Sequence, residues 1–186
     1  MLNNFKKPIF IIIIAIATVA GIELWLQDSL SELKVVYPEQ PAILDNNDFS
    51  LDTGQGLLSL GVSSWDDVQQ IWPQGKNLGM STIYKPANTD LLITFTKEEN
   101  ILTKVHLNDD QFSTFRGIKV GDDFSLVKKA YGDNYAFIED PGNSDNFDAV
   151  YGEDNDNSIV FQVRNNTVSK IVIQRGITQV QKNNGP

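Results

Sequence analysis

One arrangement of apolar and polar positions occurs twice along the chain. The first copy runs from about Asp48 to Leu107 and the second from about Gln111 to Ile173. In each, a glycine (Gly61, Gly121) precedes a short segment whose apolar residues fall at i, i+3, i+6 and i+7. These are Trp65, Val68, Ile71 and Trp72 in the first copy, and Phe124, Val127, Ala130 and Tyr131 in the second. That spacing places them on one stripe of a helix. Ser64 and Asp123 stand where a side-chain oxygen can cap the helix start, and Pro73 and Gly132 are stop signals. Each predicted helix has two to three turns, too few to persist without docking on something else.

The docking surface is predicted to be a sheet. Thr82-Ile83-Tyr84 and Ala149-Val150-Tyr151 follow the helices, then Leu91–Phe95 and Ser158–Phe161, then Ile101–Leu107 and Thr167–Ile173. Glu98-Glu99-Asn100 and Arg164-Asn165-Asn166 suit tight hairpins, because asparagine tolerates the left-handed backbone. Period two puts Val105 and Leu107 on one face and Lys104 and His106 on the other, with Ile171 and Ile173 against Lys170 and Val172 in the second copy. A unit of about 60 residues buries only a small core, so two units sharing a sheet or packing side by side are expected.

The boundaries that follow are 1–26 for an apolar leader, 27–47 for a helix and linker, 48–108 and 109–176 for the repeats, and 177–186 for a polar tail. In the leader, Lys6 and Lys7 precede an apolar run from Pro8 to Ile22, which resumes at Leu24-Trp25-Leu26 after Glu23. Two readings stand. As a signal anchor it crosses the membrane once, with the N-terminus cytoplasmic and the domain outside. As a cleaved signal peptide, cut after Ala17 or Ala20, it leaves a secreted product. Leu30, Leu33 and Val36 continue a helical stripe to Tyr37, and Pro38 and Pro41 end it. The expected fold class is therefore α+β: an N-terminal membrane helix, then two tandem repeats, each a short helix packed on a small antiparallel sheet.

Charge narrows the partners. Setting aside the first 26 residues removes Lys6, Lys7 and Glu23 and leaves 13 basic against 23 acidic side chains. Nucleic acid and anionic lipid suit such a chain poorly; a basic peptide, a basic protein patch or cations suit it better. There is no cysteine, hence no disulfide and no thiolate chemistry.

Candidate chemistry is sparse. His106 is the sole histidine. The acidic pairs Asp66/Asp67, Asp109/Asp110 and Asp122/Asp123 fall at helix starts or turns, where they cap. Glu153–Ser158 begins like a calcium loop, but Ile159 and Asn165 stand where a glycine and a closing glutamate are required, so it reads as a solvated turn. Gly54-Gln55-Gly56 lacks the strand–helix context of a phosphate loop. No catalytic, metal or cofactor site is expected. Partner binding is expected at the solvent face of the sheet, through Lys104, His106 and Lys170, or at an acidic insertion of the second copy, through Glu139, Asp140, Asp145 and Asp148.

Thr114-Phe115-Arg116-Gly117-Ile118-Lys119-Val120-Gly121-Asp122, followed by Val127, Tyr131-Gly132 and the closing Val168-Ser169-Lys170-Ile171, resembles the SmpA/BamE-like outer-membrane assembly lipoproteins. Doubled, it resembles the beta-lactamase-inhibitor-protein architecture. The resemblance implies helical segments on antiparallel sheet and a function in protein binding rather than catalysis. The expected function is a non-enzymatic, membrane-anchored, extracytoplasmic module that binds a protein or peptide. The alternatives are a secreted proteinaceous enzyme inhibitor and a carboxylate-using hydrolase.

Overall fold

The structure is a computed structural model that describes residues 34–79, 82–140, 143–152 and 156–177. In chain order its elements are strand β1 (Val35–Val36), a 3-10 turn (Asn46–Phe49), β2 (Ser50–Asp52), β3 (Leu57–Ser59), helix α1 (Trp65–Ile71), β4 (Gly75–Leu78), β5 (Ile83–Pro86), β6 (Leu91–Phe95), β7 (Leu102–Leu107), helix α2 (Phe124–Tyr131), β8 (Ala136–Asp140), β9 (Asn143–Gly152), β10 (Asn157–Arg164) and β11 (Thr167–Arg175). Strands β2 and β3 pair as a small hairpin. The other nine form one sheet in the order β1-β8-β9-β10-β11-β7-β6-β5-β4, antiparallel at every junction.

The helices form where stripe and caps coincide. Ser64 Oγ accepts from the Asp67 N–H while Asp67 Oδ2 accepts from the Ser64 N–H at 2.7 Å, a reciprocal capping box. Asp123 Oδ1 accepts from the Ser125 N–H at 2.8 Å. Each helix start is tied to the turn of its own hairpin: the Trp65 N–H donates to Asn100 O, and the Phe124 N–H to Asn166 O, both at 2.9 Å. Asn100, Asn165 and Asn166 all have positive φ, as these tight turns demand. Each helix end is held by a tyrosine: Tyr84 Oη donates to Trp72 O at 2.8 Å and Tyr151 Oη to Gly132 O at 2.9 Å.

The stripes dock on one face of the sheet. Trp65 packs edge-on to Tyr84 and Phe95, and Phe124 to Tyr135 and Phe147. Across the strands the register aligns Tyr84, Ile93, Val105, Ile173, Ile159 and Tyr151 in one buried row beneath the helices. Gly75 lies so close to Tyr84 that a Cβ there would collide with the ring.

Three expectations are corrected. The chain does not form two repeats, each with its own small sheet. The last strands of the two halves, β7 and β11, pair with each other (Leu107↔Ile171, Val105↔Ile173), so the strands merge into a single nine-stranded sheet over one hydrophobic core. The physical reason is exposure: left alone, each half would end on an edge strand with Val105, Leu107, Ile171 and Ile173 uncovered, and all four are fully buried by the union.

The second correction concerns the membrane. Among the described residues no helix is long and apolar enough to cross one. The longest, α2, has 8 residues, against the roughly 20 that a span needs. The transmembrane signal anchor, attachment through it and the single-pass placement are accordingly withdrawn; the stretch 1–26 assigned to the anchor lies outside the described residues. The helix expected to run on to Tyr37 is also absent from 34 onward, where Val35–Val36 pairs with β8 as an edge strand.

Candidate binding face of the sheet

The face of the sheet turned away from the helices carries a second row: Leu92, His106, Val172, Val160 and Val150 in register, reaching Ala136 on β8, with Lys85 following Tyr84 on β5. With one strand spacing of about 4.8 Å per step, the apolar part from Leu92 to Val150 is roughly 19 Å long. Its residues are half-buried.

His106 and Val172 form the central pair. The register is symmetric about them: Val105 opposes Ile173 on one side and Leu107 opposes Ile171 on the other. Lys104 and Lys170 lie two residues before His106 and Val172 on antiparallel strands, so they flank the row on opposite sides. Burial first, then the positive charges of Lys170 and Lys104, push the His106 imidazole down to about 4. It is therefore neutral at pH 7. Its Nδ1 is enclosed without a hydrogen-bond partner.

Lys104, His106 and Lys170, singled out in the sequence, are thus brought together. The acidic candidates are not. Asp148 shares the open face, but it accepts from Arg164 Nη1 at 3.2 Å and from Gln162 Nε2 at 3.3 Å. Glu139 points to the helix side, opposite Phe147, and pairs with Lys34 at 3.1 Å. Asp140 and Asp145 lie near the end of the β8–β9 hairpin, where the Asp145 N–H donates to Asn143 Oδ1. The insertion expected as an acidic loop is mostly two paired strands, its carboxylates divided between the faces.

The other acidic pairs act as structural acceptors. The Ser64 N–H and hydroxyl hold the Asp67 carboxyl below the usual range, and Ser125 with Asn166 does so at Asp123. Among the described residues no three of His, Cys, Asp and Glu converge as a metal site. Residues 153–155 of the calcium-loop-like stretch lie outside the described residues.

Two features escaped the sequence reading. Asp48, fully buried, accepts from Arg116 Nε at 2.7 Å and Nη2 at 2.6 Å; Arg116 also donates to Ala130 O and stacks over the Tyr131 ring. Nothing local in the sequence links residues 68 positions apart. The other is the apolar open-face row, which did leave a trace: Leu91–Phe95 and Ser158–Val163 carry apolar residues at both parities, the pattern of a strand whose second face is also shielded.

No family model matches the chain, and no curated protein or solved structure matches it.

Proposed function

We propose that the protein is a non-catalytic binding module that takes a protein or peptide partner on the open face of its sheet. The observation that carries this reading is the apolar row. An antiparallel sheet with one face in water ordinarily alternates apolar-in and polar-out. Here the outer face presents Leu92, Val172, Val160 and Val150 in line, with a neutral histidine among them. A broad, shallow surface of this kind suits another polypeptide better than a small substrate, which requires an enclosing cleft. The chemistry around it agrees. The carboxylates of Asp67, Asp123, Asp148 and Asp48 are engaged in caps and ion pairs. The resemblance carried by Thr114–Asp122 implies protein binding as well.

The test is site-specific photocrosslinking in intact cells, followed by identification of what is captured. A photoreactive residue at Val160 should trap a defined partner, one placed at Ser125 on the exposed side of α2 should not, and Val172→Asp should abolish the capture. Capture from Ser125 alone, or capture at Val160 indifferent to Val172→Asp, would refute the assignment.

A further inference from the structure

The charge of the open face is opposite to that of the chain. Lys76, Lys85, Lys104, Lys170 and Arg164 project from it. The carboxylates in line with it, Asp90 at a strand end and Asp148, are each already engaged by one of these cations: Lys85 Nζ lies 2.7 Å from Asp90 Oδ1, and Arg164 Nη1 lies 3.2 Å from Asp148 Oδ1. Beyond the row, Lys104 lines a cavity with Lys97, Arg175, Glu98, Glu99 and Asp156. Lys104 and Lys170 have no carboxylate within ion-pair distance among the described residues. A protein with 23 acidic and 13 basic residues after position 26 has therefore set five cations, and only two already engaged carboxylates, along one apolar row.

Resting on the reading of this face as the binding surface, we propose that its occupant is a polypeptide segment whose apolar side chains are bordered by carboxylates, seated on the Leu92–Val150 row with Lys104 against one flank and Lys170 against the other. The overall negative charge pointed to a basic partner. Local geometry reverses that choice, because screening confines charge recognition to about 8–10 Å and along the row itself cations outnumber carboxylates. A second copy of the chain presenting the same face would set lysine against lysine, which disfavours self-association there. The lysine stems add apolar surface beside the valines, while the ammonium groups stay solvated until a carboxylate arrives. His106 sits between them and reports any occupant: it is the only histidine, so the chain gives a single set of imidazole resonances.

The experiment uses the full chain labelled at histidine and two peptides of about a dozen residues. One intersperses leucine and serine with glutamate; the other carries lysine at the glutamate positions. The expected result is that the glutamate peptide shifts the His106 imidazole resonance and binds about tenfold more tightly than the lysine peptide, with the preference shrinking as salt is raised. Lys104→Glu with Lys170→Glu should invert the preference. If that double variant unfolds, Lys104→Gln with Lys170→Gln should abolish it. Equal or tighter binding of the lysine peptide, a preference unaltered by the substitutions, or no binding of either peptide overturns the acidic partner. Loss of crosslinking in Val172→Asp would still stand in that case, so failure of the charge assignment is distinguishable from failure of the binding face itself.

Discussion

Asp48 has no contact with water, yet it is held as the partner of a cation. Arg116 closes on it with two nitrogens and is itself held by the Ala130 carbonyl and the Tyr131 ring, and the carboxylate keeps the guanidinium charged even more firmly than usual. Removing one member strands the other. Arg116→Met leaves a buried carboxylate, and we expect a loss of about 3 kcal/mol in urea unfolding. Asp48→Asn combined with Arg116→Met should cost less than Arg116→Met alone. His106 gives the second prediction at this scale. Folding lowers its pKa from 6.5 to about 4, so the folded state favours the neutral ring. The stabilisation this provides is complete above pH 6.5 and is lost as the pH falls towards 4. Relative to His106→Gln, the wild-type chain should therefore lose stability across that window, and paired urea titrations at pH 7.5 and 5 check it. Period two was enough to place His106 and Lys104 on the outer face of one strand and Lys170 on that of another; the pairing of β7 with β11 brings them together. The ion pair was illegible, because no local pattern couples position 48 to position 116.

Among the elements, the helices were the most readable. Cap, stripe and stop each speak within ten residues, and all three agree for α1 and α2. The caps have measurable weight. Ser64→Ala removes the oxygen that accepts from the Asp67 N–H and the hydroxyl that donates to Asp67 Oδ2 at 2.8 Å; we expect a loss of about 1 kcal/mol, read as a lower melting temperature. Strand β4 was missed for a physical reason. Gly75-Lys76-Asn77-Leu78 is exposed throughout, so it carries no alternation to read; it is a strand because β5 offers it hydrogen bonds. Val35–Val36 was misread for the converse reason. Its apolar residues fit a helical stripe, but the edge of β8 captured them.

At the scale of the molecule, the sequence showed two similar halves that could share a sheet, and left hidden which strands join them. Which strand pairs with which depends on contacts some 65 positions apart, such as Leu107 with Ile171 and Val105 with Ile173. Those contacts make the halves interdependent. A fragment covering 34–108 should fail to show a cooperative unfolding transition by circular dichroism, while the intact chain shows one. In the intact chain, amide exchange should be slowest at Val105 and Val172, in the middle of the sheet, and fastest at Lys76 and Asn77 on its rim.

That rim has a consequence of its own. Among the described residues β4 has no neighbouring strand on its outer side, so its backbone groups there are an open template that further chains could join in succession. The strand is only four residues long, begins with a glycine and carries Lys76 in its middle. Brevity, a residue of low β-propensity and a charge that would face its own likeness in an in-register stacked copy all work against fibril growth at this border, where a longer, greasier strand would seed aggregates.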